Sequence, residues 1–223
     1  ETGVGLTNKY FVEFGVGDGT ENNTGYLLLN GWKGSWIEGD SQNNNKIKSA
    51  LKNMLKSNNL SLLEAFVTVD SILDCFKQLE VPIEFDLLSI DIDGNDFWIW
   101  QALKQYKPRV VVIEYNGSLG PNVDWVMPYN EKHLWGGKTK GSYFGASLKA
   151  YERIGKELGY SLVGTNLTGV NAFFVRSDIL DENLFPGEYT SEYHFKKPLY
   201  FMGKQLGHQR NIEILNSLIN EEQ

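Results

Sequence analysis

Acidic side chains crowd two short segments of the chain, each directly after an apolar run. Residues 91–96 read DIDGND and hold three carboxylates, and Glu114 follows the run VVVI at residues 110–113. Like charges so close together require a cation, a proton or a hydrogen-bond donor to compensate them. Oxygen ligands suit Mg²⁺ or Mn²⁺, so one hypothesis is a metal held by Asp91, Asp93 and Glu114. The other hypothesis, favoured because the cluster has no histidine, is metal-free: the carboxylates bind a cofactor amine, or Asp91 or Asp93 takes a proton from a hydroxyl.

A glycine-rich turn follows the first apolar run, at residues 13–19, which read EFGVGDG. Glycines let the chain turn sharply and let a ligand approach the backbone closely. The dinucleotide fingerprint needs a glycine at the sixth position, which Thr20 occupies here. Glu13 at the end of the strand would repel a pyrophosphate but suits an ammonium group. We therefore expect S-adenosylmethionine rather than NAD, in contact with Glu13, Gly15 and Gly17.

Three further segments complete the predicted cofactor site. Asn23 and Thr24 begin the next helix, where free N–H groups would meet an anion. Glu38 ends the second predicted strand, about 20 residues after the glycine turn, where an acid accepts ribose hydroxyls. Asp40 is the fallback for this role. The remaining predicted cofactor contacts are Gly39, Val69 and Asp91.

Alternating strands and helices must position these residues. The apolar patterns predict strands at 10–14, 34–38, 62–69, 85–90 and 109–114, and helices at 23–29, 44–56, 70–79, 96–106, 147–158 and 211–220. Asp70 is a plausible N-cap of the third helix. Strands that alternate with helices indicate parallel βαβ units. The strands 161–165 and 171–176 are joined too closely for a crossover helix, so they form an antiparallel hairpin.

The composition narrows the class of protein. The 223 residues are 41% hydrophobic and carry a net charge of −7, which favours a globular chain and argues against a nucleic-acid surface. Cys75 is the only cysteine, so no intramolecular disulfide forms, and a reducing, cytoplasmic location is expected. No apolar run reaches the roughly 20 residues of a membrane span. Phe11 opens a strand almost at once, which leaves room for an additional N-terminal segment or domain.

The alternating pattern breaks at residues 115–146, which we interpret as an insertion in a single domain of residues 1–223. A loop this long is usually functional or mobile. The aromatic residues and the histidine of its central part are Trp125, Tyr129, His133, Trp135 and Tyr143. Flat aromatic faces suit sugar rings, but the same residues suit a second small core equally well. His133 is the most natural proton acceptor here, with Asp91 or Asp93 as the rival catalytic base.

Several segments together resemble the FkbM-type S-adenosylmethionine-dependent methyltransferases. They read FVEFGVGDG at 11–19, TVDSIL at 68–73, DLLSIDIDG at 86–94 and VIE at 112–114, with weaker echoes of GASL at 145–148 and NAFFV at 171–175. The chain departs from the family pattern in two places: Glu13 replaces the commoner aspartate, and residues 92–96 replace a valine–glutamate–glycine–x–glutamate run. The resemblance implies a doubly wound, Rossmann-like class I methyltransferase sheet, mostly parallel with an antiparallel terminal hairpin.

The resemblance also sets the expected activity. Such families commonly O-methylate sugars or other small hydroxyl compounds in glycan, capsule or secondary-metabolite pathways, so we expect an O-methyltransferase that acts on a sugar or sugar conjugate. The acceptor pocket would lie in the variable insertion, so the substrate is less well defined than the fold. Two alternatives remain: an NAD-dependent oxidoreductase on a Rossmann fold, and a methyltransferase-like binding module without catalysis.

Overall fold

The computed structural model describes residues 4–20, 22–133, 141 and 143–199. Within them the chain alternates between strands and helices, as the sequence predicts. The strands are β1 Tyr10–Phe14, β2 Lys33–Glu38, β3 Leu60–Glu64, β4 Glu84–Ile90, β5 Lys107–Glu114, β6 Tyr160–Thr165 and β7 Asn171–Arg176. The helices are α1 Gly25–Leu29, α2 Ser41–Ala50, α3 Lys52–Lys56, α4 Ile72–Gln78, α5 Asp96–Ala102, α6 Leu148–Leu158 and α7 Ser191–His194. The helix predicted at 211–220 lies outside the described residues.

The seven strands form one sheet in the order β3-β2-β1-β4-β5-β7-β6. β1 to β5 run parallel to one another, and β7 runs antiparallel to both β5 and β6. This confirms the predicted fold class, a doubly wound Rossmann-like sheet with an antiparallel terminal hairpin. The strand order reverses between β1 and β4. In open α/β sheets ligands bind at such a switch point, outside the carboxyl ends of the strands.

Helices cover both faces of the sheet with separate apolar layers. One layer packs Phe76 of α4, Trp100 of α5 and Ile154 of α6 against the sheet, and the other packs Leu28 of α1 and Ile47 of α2. Each fully buried side chain of this size contributes about 1.5–3 kcal/mol relative to an exposed one. No helix of the described residues is both long and apolar enough to cross a bilayer.

Two predicted helices differ from those observed. The pattern at 44–56 predicts one helix, but the chain begins α2 at Ser41 and leaves helical geometry at Leu51 before α3. The early start follows from Asp40, whose side chain caps α2 by accepting a hydrogen bond from the N–H of Asn43. The prediction that Asp70 is the N-cap of the next helix was wrong, because α4 begins at Ile72 and its N-cap is Ser71.

The third strand is shorter than predicted. The apolar run predicts a strand at 62–69, but β3 spans Leu60–Glu64. β3 pairs only with β2, in a register that joins Glu38 to Glu64, so its pairing ends where β2 ends. The carboxyl end of β3 therefore falls five residues earlier than expected. The residues directly after Glu64, rather than Val69, therefore lie at the carboxyl end of β3.

A buried carboxylate on α6 holds α7 in place. Glu152 accepts hydrogen bonds from the backbone N–H of Ser191 at 2.8 Å and from Lys156 at 2.7 Å, with Lys149 at 3.2 Å. Burial alone raises the pKa of Glu152, but these donors outweigh it and lower the pKa to about 2. The charged carboxylate therefore stabilises the folded state at neutral pH.

We expect Glu152→Gln to lower the free energy of unfolding by about 1–3 kcal/mol at pH 7, because buried donors lose a charged acceptor. Since the folded-state pKa is depressed, the stabilisation is complete above 4.5 and is lost as the pH falls toward about 2. Urea unfolding across this range checks both statements. Glu157→Gln, at an exposed ion pair of the same helix, is the control and should change stability by less than about 0.5 kcal/mol. A gap between wild type and Glu152→Gln that stays constant down to pH 2 would contradict the assignment.

Candidate cofactor and catalytic site

A pocket of about 410 Å³ opens at the carboxyl ends of the parallel strands. The turns after β1, β2, β3 and β4 form its walls, and one residue of the insertion closes one side. Its lining residues are Gly15, Gly17, Ile37, Glu38, Gly39, Asp40, Asn43, Ala65, Phe66, Val67, Asp91, Ile92, Asp93, Asn95 and His133. The volume lies within the range of pockets that hold small ligands and cofactors.

The two glycines after β1 have different reasons to be glycine. Gly15 has φ +78°, and a Cβ there would lie 1.5 Å from the backbone oxygen of Asp91. Only glycine therefore lets the turn after β1 pack against the turn after β4. Gly17 has φ +56° and open space around the position of a Cβ. It leaves bare backbone at the pocket, where a ligand can approach.

Glu38 connects the glycine turn to the end of β2. Its Oε2 accepts a hydrogen bond from the N–H of Gly17 at 2.7 Å, and its Oε1 accepts one from the N–H of Asp40 at 2.8 Å. An ionised carboxylate has about four acceptor sites, so two remain after these bonds. The side chain lines the pocket, where the predicted role toward ribose hydroxyls stays a prediction.

Glu13 does not face the pocket as the sequence suggested. Its Oε1 accepts from the backbone N–H of Asn23 at 2.8 Å and from the hydroxyl of Ser89 at 2.9 Å. Its Oε2 accepts from both the backbone N–H and the hydroxyl of Thr24. These four donors use the acceptor sites of the carboxylate. The predicted contact between Glu13 and a cofactor ammonium is therefore corrected: Glu13 holds the start of α1 against β1 and β4.

The same bonds correct the predicted anion site at the start of the first helix. The backbone N–H groups of Asn23 and Thr24 donate to Glu13, and the N–H of Gly25 donates to the side chain of Asn22 at 2.6 Å. These N–H groups are therefore not free to meet an anion. Neither Asn23 nor Thr24 is among the described residues that line the pocket.

Phe66 takes the place at the pocket that the sequence assigned to Val69. Because β3 ends at Glu64, the turn residues Ala65, Phe66 and Val67 lie at the pocket, and the ring of Phe66 is half exposed. The N–H of Val69 donates instead to the hydroxyl of Tyr129 at 3.3 Å. β3 ends early because its pairing stops where β2 stops, and the sequence pattern did not predict this early end.

Asp91, Asp93 and Glu114 come together as a cluster, in which one oxygen of each lies within 4.8 Å of the others. Ile90 of β4 pairs with Ile113 of β5, so the two strands end side by side. Asp91 and Asp93 lie in the turn beyond β4, which ends at Ile90, and Asp93 has φ +57°. The turn itself brings both side chains to Glu114.

Burial and mutual repulsion raise the pKa of the carboxyls in this region. Burial is the main cause for Asp91 and Glu114, and the charges of neighbouring acids raise both further. Burial also raises the pKa of Asp93, against a lowering by His133. Burial raises the pKa of Asp96 to about 6, although its carboxylate accepts the N–H groups of Ile92 and Gly94 at 2.8 Å each. Asp96 thus stabilises the turn through its backbone, while Asp91, Asp93 and Glu114 face one another.

His133 lies over the same turn. Its Nε2 is 3.1 Å from the backbone oxygen of Asp93, and a Cβ at Gly94 would lie 2.3 Å from its Cδ2. Gly94 therefore makes room for the imidazole. The structure thus brings the three residues predicted as catalytic, Asp91, Asp93 and His133, to one pocket.

The aromatic residues in the described part of the insertion are not among those that line the pocket. Trp125 and Tyr143 stack edge to face with ring centroids 5.7 Å apart, and the backbone of Trp125 bonds to Ser147 at the start of α6. Tyr129 lies beside the turn after β3, through its bond to Val69. These contacts favour a small secondary core. Trp135 lies outside the described residues.

Comparison with known proteins finds likeness in the fold alone. No family model and no curated protein matches the chain. The methyltransferase domain of bacterial CtHen1-C is 15% identical, covers 75% of this chain and 89% of its own, and has a TM-score of 0.45. A conserved hypothetical protein of Streptococcus pyogenes is 12% identical, with 77% and 88% covered and a TM-score of 0.46. An S-adenosylmethionine-dependent methyltransferase of Clostridium acetobutylicum is 11% identical, with 76% and 85% covered and a TM-score of 0.43.

We expect Glu13→Gln to lower the free energy of unfolding by about 1–3 kcal/mol, because an amide nitrogen would face donors that need an acceptor. Chemical denaturation measures this change. Glu64→Gln, at the exposed end of β3 with a surface ion pair to Lys48, is the matched control and should cost less than about 0.5 kcal/mol. If the pocket binds S-adenosylhomocysteine, folded Glu13→Gln protein should have the same affinity for it as the wild type. Unchanged stability together with lost affinity would instead place Glu13 in direct contact with the ligand.

Proposed function

We propose that this chain is an S-adenosylmethionine-dependent methyltransferase that O-methylates a sugar or another small polar hydroxyl compound. One observation carries the proposal: the pocket at the switch point combines a bare glycine turn with four carboxylates, Glu38, Asp40, Asp91 and Asp93. No lysine or arginine is found among its described lining residues.

The charge of the pocket separates the two cofactor classes. A pyrophosphate would enter this pocket against four acidic side chains, with His133 as its only described basic neighbour. S-adenosylmethionine carries an ammonium and a sulfonium against a single carboxylate, so the same acids attract it. The proposal therefore favours methyl transfer over NAD-dependent oxidation.

The walls of the pocket fit the parts of this cofactor. The backbone at Gly17 offers a close approach, and Glu38 keeps two acceptor sites for the ribose hydroxyls. The half-exposed ring of Phe66 offers a flat face for the adenine. The bound cofactor supplies an electrophilic methyl group, so the protein needs no nucleophile of its own.

The remaining task of the chain is to align the acceptor and remove one proton. Asp91, Asp93 and His133 lie on the side of the pocket formed by the turn after β4. The bond of His133 Nε2 to the carbonyl of Asp93 places the ring proton on Nε2, so Nδ1 is the nitrogen able to accept a proton. We assign the proton transfer to His133 or to Asp93. The raised pKa of the Asp93 carboxyl makes it a better base than an exposed aspartate.

The acceptor class rests on two supports. An acidic pocket disfavours phosphorylated or carboxylated acceptors and admits neutral ones such as sugars. The resemblance of the glycine turn and the β4 and β5 ends to FkbM-type enzymes favours a hydroxyl group as the methylated site. Incubating the chain with S-adenosylmethionine and a panel of free and conjugated sugars should give a product heavier by one methylene in mass spectrometry.

The cofactor proposal has a direct binding test. Calorimetric titration should show saturable binding of S-adenosylhomocysteine and none of NAD. Binding of NAD alone would establish the oxidoreductase alternative. Binding of S-adenosylhomocysteine without turnover of any acceptor in the panel would favour the non-catalytic binding module.

We expect Gly17→Ala to lower the affinity for S-adenosylhomocysteine at least tenfold, because the methyl group would occupy the space of the ligand. Its control is Gly31→Ala, since Gly31 also has a positive φ, +79°, and open space around a Cβ but lies outside the pocket lining. Both substitutions should lower the free energy of unfolding by about 1–2 kcal/mol, because each places an alanine in the left-handed region. Equal affinity in the two variants would remove the glycine turn from the binding site.

A further inference from the structure

We propose that Asp91, Asp93 and Glu114 form a binding site for one divalent cation of the Mg²⁺ or Mn²⁺ class, open to the pocket. The existence of this site is independent of the proposed methyl transfer. Only its role beside the acceptor rests on that function.

The geometry of the cluster fits a hard cation. One carboxylate oxygen of each residue lies within 4.8 Å of the other two. Around an octahedral Mg²⁺ with bonds of about 2.1 Å, neighbouring oxygens are about 3.0 Å apart and opposite ones about 4.2 Å. The observed limit of 4.8 Å exceeds both spacings, so shifts of up to about 1 Å in the side chains would bring the three oxygens into ligating distance. Two parallel strands and the turn after β4 already hold the backbone in place.

A second observation points to a ligand at this cluster. Glu114 is only 7% exposed, and its Oε2 has no hydrogen-bond partner among the described residues. Buried carboxylate oxygens are normally paired, so an unpaired one requires an explanation such as an ion. The hydroxyl of Tyr151 is also buried without a described partner, and it lies within electrostatic reach of Glu114 and Asp91.

No lysine or arginine of the described region forms an ion pair with this cluster, and His133 acts electrostatically on Asp93. The ion pairs found there connect other acids, and none includes Asp91, Asp93 or Glu114. Asp96, the fourth acid nearby, is already compensated by two backbone N–H groups. Among the described residues, Asp91 and Glu114 thus lack a partner of opposite charge, and Asp93 has only the imidazole of His133 beside it.

The chemistry of the ligands selects the class of cation. All three are carboxylates, which suit Mg²⁺ and Mn²⁺ rather than the nitrogen- and sulfur-binding metals. Asp91 and Asp93 line the pocket while Glu114 lies behind them. The free coordination positions of the cation therefore face the pocket. There the cation would hold and polarise an acceptor oxygen, which assists removal of its proton.

Titration with Mn²⁺ of the chelator-treated chain, followed by electron paramagnetic resonance of the free ion, tests the site directly. We expect one Mn²⁺ to bind per chain, and Mg²⁺ to displace it. Glu114→Gln and Asp93→Asn should each weaken binding at least tenfold. Glu64→Gln, at an exposed acid that ends the edge strand β3, should leave the affinity unchanged.

Thermal melts without metal show whether each variant is folded. Removing one of three mutually repelling carboxylates should leave the melting temperature unchanged or raise it. If Glu114→Gln does not melt cooperatively, Asp93→Asn at the pocket wall decides the test alone. Failure of Mn²⁺ to saturate, or equal affinity in all variants, would overturn the cation site and would indicate that protons alone compensate the cluster.

Titration of the same samples with S-adenosylhomocysteine separates this proposal from the proposed function. A chain that binds S-adenosylhomocysteine but no Mn²⁺ overturns the cation site alone. A chain that binds Mn²⁺ at the three carboxylates but no S-adenosylhomocysteine supports the cation site and overturns the methyltransferase proposal.

Discussion

The buried carboxylate of Glu13 is the interaction on which the rest of the site depends. It collects four hydrogen bonds, from the start of α1 through Asn23 and Thr24 and from β4 through Ser89. The hydroxyl of Thr24 also accepts from the indole N–H of Trp36 on β2, at 2.8 Å. One acid thus connects three neighbouring strands and the first helix. Because buried polar groups are costly unless they are paired, this network favours the observed arrangement of the strand ends.

The glycine turn and the acid cluster follow from that arrangement as one unit. Gly15 packs against the carbonyl of Asp91, so the turn after β1 and the turn after β4 are in direct contact. Glu38 ties the other end of the glycine turn to β2. The parts proposed to hold the cofactor and the parts proposed to act on the acceptor are therefore in van der Waals contact. A ligand bound at the glycine turn would therefore affect the acid cluster through backbone contacts rather than through flexible side chains.

Sequence patterns predicted the parts of this site that depend on local order. The apolar runs located the strands, and parallel strands bring their carboxyl ends to one edge, so Asp91, Asp93 and Glu114 could be expected together. Three features depend on contacts between distant segments and could not be read from the sequence. They are the hydrogen bonds that occupy Glu13, the early end of β3 where β2 ends, and the position of His133 over Gly94. The positive φ of Asp93 accompanies a local contact instead, because the carboxylate of Asp96 accepts the N–H groups of the residues on either side of Asp93.

The placement of β7 between β5 and β6 has a consequence for how the site is assembled and how it can vary. Glu114 at the end of β5 lies opposite Asn171 of β7, a partner that the chain supplies only after the insertion, α6 and β6. This long-range pairing is entropically expensive to nucleate, so it is expected to complete late in folding. Once it forms, the length of the insertion matters little, since doubling a loop costs only about 0.6 kcal/mol of closure entropy. The insertion, which is proposed to face the acceptor, can therefore be lengthened or exchanged during evolution while the strand ends beneath it stay in register.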